Sequence, residues 1–120
     1  GWFAGCSRLR KILKINNLDT SKAISMRGLF YGCSSLGALS VYRFETSLVE
    51  DMSLMFYGCE RLSELNVSRF DTSRVGDVAG MFGGCHSLKR IVGFPDAFHG
   101  NEKISLRGIG RDCPAVAGRQ

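Results

Sequence analysis

Apolar residues recur along this chain in a fixed order. Cys33-x-x-Leu36-x-x-Leu39-x-Val41-x-x-Phe44 is matched position for position by Cys59-x-x-Leu62-x-x-Leu65-x-Val67-x-x-Phe70. Leu39 with Val41, and Leu65 with Val67, alternate at period two. This predicts a strand with these side chains inward and Ala38, Ser40, Glu64 and Asn66 outward. A polar turn follows each phenylalanine, Glu45-Thr46-Ser47 or Asp71-Thr72-Ser73. Beyond it stand Val49, Met52, Met55 and Phe56, and again Val75, Val78, Met81 and Phe82, an i, i+3, i+6, i+7 rhythm that predicts a short helix. Ser47 with Glu50 fits a capping box at its start, and Gly58 or Gly84 a left-handed residue at its end.

The same period marks the whole sequence. Phe3-Ala4-Gly5-Cys6, Phe30-Tyr31-Gly32-Cys33, Phe56-Tyr57-Gly58-Cys59 and Phe82-Gly83-Gly84-Cys85 place their cysteines 27, 26 and 26 residues apart. Self-similarity at a fixed period signals stacked units, each unable to bury its apolar face alone. The first copy is looser: Leu9, Ile12, Leu18, Met26 and Leu29 keep their columns, a loop bulges near residues 13–16, and Ile15 takes the place of Val41. Counted back from Cys113, Ile109 falls in the Met55 column, Leu106 in the Met52 column and Phe98 in the Phe44 column, with Val116 in the Leu36 column. A degenerate fourth repeat therefore ends there, its two extra residues near Gly93-Phe94-Pro95, and a fifth strand begins after it. The expected architecture is α/β: a solenoid of four strand-turn-short-helix turns with a C-terminal cap. It forms one domain over residues 1–120, with repeats 6–32, 33–58, 59–84 and 85–112 and the cap at 113–120. Trp2 stands where later copies have Leu29, Met55 and Met81, which suggests a longer parent.

Charge narrows the function classes. The net +5 is local: residues 6–32 carry +5, the next three repeats −2, −1 and +2, and the tail +1. Lys11, Ala38, Glu64 and Arg90 share one column, so sign changes from unit to unit and a phosphate backbone would meet Glu64 in mid-track. No aromatics are interleaved for base stacking, and nucleic acid is not an expected partner. No run approaches the ~18 apolar residues of a membrane span, so no membrane insertion is expected.

The five cysteines form one column and are expected to be reduced and buried, because equivalent side chains in stacked units run parallel instead of facing each other. Without a C-x-x-C pair, and with only His86 and His99 as histidines, no metal or other cofactor is expected. Cys85-His86 is a ladder cysteine beside an edge residue, and Gly108-x-Gly110 lacks the Lys-Ser of a phosphate loop. No catalytic constellation remains, so the chain is not expected to be an enzyme.

What remains is the exposed strand face, with side chains in columns about 4.8 Å apart. Its candidate ligand-binding residues are Lys11, Ala38, Glu64 and Arg90, then Ser40, Asn66 and Val92, then Tyr42 and Ser68. Polyanion binding, such as to an acidic glycan, through Arg8, Arg10, Lys11 and Lys14 is an alternative, and a structural spacer another.

Leu62-x-x-Leu65-x-Val67-x-x-Phe70-Asp71-Thr72-Ser73-x-Val75-x-Asp77-x-x-x-Met81-Phe82-x-Gly84-Cys85 resembles the repeat of BspA-like leucine-rich-repeat proteins of bacterial cell surfaces. The resemblance covers residues 2 to about 92 and weakens beyond, where Gly110-Arg111-Asp112-Cys113 replaces the phrase. It implies a curved solenoid within a secreted or surface-anchored protein that binds host or neighbouring-cell proteins. A monomeric, adhesin-like, non-enzymatic protein-binding module is the resulting expectation.

Overall fold

The computed structural model describes residues 18–116. Two strands, β1 (Glu64–Asn66) and β2 (Arg90–Val92), form a parallel sheet, and Asp96–Phe98 and Pro114–Val116 each make one 3-10 turn. Everything else described is turns, bends, isolated bridges and irregular chain.

The expected α/β leucine-rich-repeat solenoid of four strand-turn-short-helix turns is therefore overturned: among the described residues there is no helix beyond those single turns and only a two-stranded sheet. The backbone shows why. Gly28, Leu54 and Gly80, in the middle of the segments read as helices, have φ of 61°, 58° and 63°, a left-handed conformation that no right-handed helix accommodates. Four residues later Gly32, Gly58 and Gly84 are left-handed again. The N–H groups that a helix would use internally instead cross to the next unit. Met52, Leu54, Phe56 and Gly58 donate to the carbonyls of Asp77, Ala79, Met81 and Gly83 at 2.8–3.0 Å, and Met26, Gly28, Phe30 and Gly32 do the same one unit earlier. Between them, Met55, Tyr57 and Cys59 close i→i−3 turns. This succession of turns still buries Val49, Met52, Met55 and Phe56, the positions a helix would have turned inward.

The capping box is absent. Ser47 is exposed and Glu50 donates its N–H to Ile24, while the neighbouring Thr46 is buried and does the linking. Its Oγ1 accepts from Asp71 N at 2.8 Å and donates to Asp71 O, Thr20 Oγ1 accepts from Glu45 N, and Thr72 Oγ1 donates to Ala97 O. This threonine column satisfies the buried hydroxyls by joining units.

The core is a set of stacked columns. Phe30, Phe56 and Phe82 are fully buried and parallel at 5.6 and 5.7 Å. Leu36, Leu62 and Leu88, and Cys33, Cys59, Cys85 and Cys113, are equally buried. The register extends through the last unit, where Phe82 N donates to Ile109 O and Gly84 N to Arg111 O, although Leu106 is only half-buried. Asp112, with φ 61°, takes the left-handed place held elsewhere by glycine. After Cys113 the chain makes the 3-10 turn Pro114–Val116, which buries Val116 in the Leu36 column; the place of the expected fifth strand, beyond residue 117, lies outside the described residues. Cys6, Leu9, Ile12, Ile15 and the bulge at 13–16 lie outside the described residues.

Candidate functional site

In parallel register Glu64 lies beside Arg90, Leu65 beside Ile91 and Asn66 beside Val92. Leu65 and Ile91 point inward, Glu64, Asn66 and Arg90 outward, and Val92 is half-buried. Two of the proposed columns are thus brought together in units three and four. Lys89 N to Ser63 O and Val67 N to Val92 O extend the pairing at both ends.

Unit two departs from the pattern. Ala38 and Ser40 are exposed but belong to no strand, and Leu39 is half-buried where Leu65 is 1% exposed. Residues 37–42 and residues 63–66 line an open surface pocket of about 370 Å³, and among the described residues β1 has only β2 as a sheet neighbour, so the columns of Ala38 and Ser40 do not join those of Glu64 and Asn66 through a continuous ladder. Turn-closing side chains hold the rim. Asn66 Oδ1 accepts from Ser68 N at 2.9 Å and from its Oγ at 2.6 Å, and Ser40 Oγ accepts a long 3.5 Å bond from Tyr42 N.

Tyr42 is 54% exposed and is where the structure adds most to the sequence. The Arg69 guanidinium lies 4.5 Å from the ring centroid and its Nη1 donates to the phenol oxygen at 2.7 Å. The pair combines cation–π attraction with a hydrogen bond. It borders a groove of about 700 Å³ that also takes in Arg43, Glu45, Thr46, Asp19 and Asp71. The carboxyls of Asp19 and Asp71 are held below the ordinary range by the hydroxyls and N–H groups of Ser21 and Ser73, so both line the groove as anions. Sequence reasoning passed over Arg43 and Arg69, although their equivalence one repeat apart was legible. The approach of Arg69 to Tyr42 was not, since it crosses from one unit to the next.

Arg8, Arg10, Lys11 and Lys14 lie outside the described residues. Among the described residues no group of His, Cys, Asp and Glu could hold a metal ion, and no helix is long and apolar enough to cross a membrane.

The cysteines face inward. Cys33, Cys59, Cys85 and Cys113 are buried thiols; Cys59 Sγ donates to Phe30 O at 3.3 Å and Cys85 Sγ to Phe56 O at 3.1 Å. Burial, reinforced by the neighbouring Cys113, pushes the Cys85 thiol up to about 12, the opposite of what a nucleophile beside His86 needs. Burial, with Cys85 and Cys33 adding to it, raises Cys59 as well. Above the ordinary thiol value of 9.0 the unfolded chain loses these protons while the folded chain keeps them. Stability is therefore insensitive to these thiols below pH 9 and falls as pH climbs from there toward 12, by up to about 1.4 kcal/mol per pH unit for each thiol. Urea unfolding at pH 8 and pH 10 measures the loss, and the Cys59→Ala/Cys85→Ala double variant should flatten it; an equally steep fall in that variant would refute this account.

A family model described as Mycoplasma protein of unknown function, DUF285, matches residues 1–97. No curated protein and no solved structure gives a significant match to the chain.

Proposed function

The chain belongs to the DUF285 family, whose function is unknown, and on that premise we propose that it is a non-enzymatic protein-binding module, an adhesin-like segment of a secreted or surface-anchored protein. The observation that carries this reading is the parallel pairing of β1 with β2, which presents Glu64 and Arg90, of opposite sign, side by side and outward next to Asn66. Tyr42, with Arg69 on its ring, extends the surface with two residue types enriched at protein interfaces. The likeness of the repeat phrase to BspA-like surface proteins supports an extracellular setting. It needs no strand-and-helix solenoid, since the outward columns come from the pairing of units. The platform is small against the roughly 800 Å² per partner of a standard interface, so modest affinity and a protein anchor on the far side fit it best.

Beads carrying the chain should adhere to intact host or neighbouring bacterial cells, and protease treatment of those cells should abolish adhesion. The Glu64→Lys/Arg90→Glu variant should adhere several-fold less while its unfolding free energy stays within about 0.5 kcal/mol, as for surface changes generally. Adhesion unchanged by the double reversal, or surviving protease but competed by heparin, would reject the strand face in favour of polyanion binding.

A further inference from the structure

Tyr31 and Tyr57 occupy equivalent places in successive units, and both are exposed, at 42% and 39%. Their rings are stacked with centroids 5.3 Å apart and planes within 10°. The backbone on either side is fixed, because Phe30 N donates to Met55 O and Gly32 N to Tyr57 O. Tyr57 cannot drift toward the third unit without cost: its ring lies on Gly83, where an added Cβ would come within 2.7 Å of it. Two phenols are thus held face to face at the surface.

Among the described residues, the side chains that oxidants ordinarily reach first are hidden. Met26, Met52, Met55 and Met81 are at most 3% exposed, and Cys33, Cys59, Cys85 and Cys113 are fully buried. Reactivity of thiols and thioethers follows exposure and, for cysteine, thiolate character, and here both are suppressed. Among the described residues the accessible oxidisable groups include the tyrosines, and Tyr42 holds the guanidinium of Arg69 instead of a second phenol.

We propose that the Tyr31–Tyr57 pair is an oxidative cross-linking site, at which a one-electron oxidant such as a haem peroxidase with hydrogen peroxide joins the two rings as dityrosine. Each phenol loses one electron and its proton, giving two phenoxyl radicals with spin density on the ring carbons ortho to oxygen. One ortho carbon of each ring forms the new C–C bond. Both rings then regain aromaticity as their ortho hydrogens leave as protons and the oxygens are reprotonated. The pair loses two hydrogen atoms in total, and one hydrogen peroxide is reduced to two waters. Holding the rings together makes the coupling effectively intramolecular, the same advantage by which positioned groups outcompete encounters in solution. The bond would tie the first unit to the second and, like a disulfide, restrict the unfolded chain.

The test is to treat the full chain at low concentration with peroxidase and hydrogen peroxide, then follow dityrosine fluorescence, intact mass and the cross-linked peptide map. The expected product is a monomer lighter by two hydrogens, with Tyr31 joined to Tyr57 and a raised melting temperature. Tyr31→Phe and Tyr57→Phe should each reduce the intramolecular product to background, while Tyr42→Phe should leave it intact. Products that are mainly intermolecular, links through Tyr42, or a native chain giving no more intramolecular product than the same chain in urea would overturn the proposal. The peptide map of the unaltered chain decides the pairing even where a variant fails to fold.

Discussion

Phe56→Ala is expected to lower the unfolding free energy by about 3–5 kcal/mol, a large share of the 5–15 kcal/mol typical of a domain. Phe56 has no exposed surface and is the middle ring of the Phe30–Phe56–Phe82 stack, in contact with an aromatic neighbour on each face. Truncation removes the apolar contact, leaves a cavity that stacked units cannot close without breaking their cross-unit hydrogen bonds, and ends two aromatic pairings worth about 0.5–1.5 kcal/mol each. The backbone here is committed, since Phe56 N donates to Met81 O at 2.9 Å while Phe30 N and Gly58 N bond on either side. Equilibrium urea denaturation gives the number directly. A loss below about 1 kcal/mol would mean that the column relaxes and that the stack is not the principal core.

Gly93→Ala should come close to the same cost by a different route. Gly93 has φ +88°, and a Cβ there would lie 2.5 Å from Ser68 Cα and 2.6 Å from Ser68 N. Those are backbone atoms of the neighbouring unit, at the end of the β1–β2 pairing, and cannot swing aside as a side chain does. A left-handed non-glycine residue costs about 1–2 kcal/mol and steric overpacking about 1–3 kcal/mol, so about 3 kcal/mol or more is expected. Gly84→Ala supplies the contrast: its φ is +69°, but the added Cβ would meet Gly58 Cα at an ordinary 3.6 Å, so only the backbone term of about 1–2 kcal/mol applies. Thermal and urea unfolding of the two variants side by side should rank Gly93→Ala well below Gly84→Ala. Equal losses would show that the close approach of units three and four is not rigid.

The residues that line the interior were legible because burial in stacked units repeats with the chain. Cys33, Cys59 and Cys85, the Leu36 column, Phe44 and Phe70 all lie where the period puts them, and Cys113, Ile109, Phe98 and Val116 follow through the degenerate last unit. The pairing of Glu64 with Arg90 was legible for the same reason. Leu39 was not, for its sequence neighbourhood equals that of Leu65, yet Leu65 lies in a paired strand while Leu39 lies in none and is half-buried on the wall of a surface pocket. The threonine column and the Arg69–Tyr42 contact were also missed. Both are bonds between side chain and next unit, and the repeat spacing names neighbours without saying which polar atom turns toward which.

The sequence by itself determined the period, the buried columns and the registration of one unit on the next, because these depend only on which residues avoid water and how far apart they recur. Only the tertiary structure decided the local conformation. An apolar rhythm near three residues is met equally by a helix and by a succession of tight turns, and the choice rests on where each N–H finds its acceptor. In this protein Met52, Leu54, Phe56 and Gly58 find theirs in the neighbouring unit, and the left-handed residues at 28, 54 and 80 hold the backbone open to it.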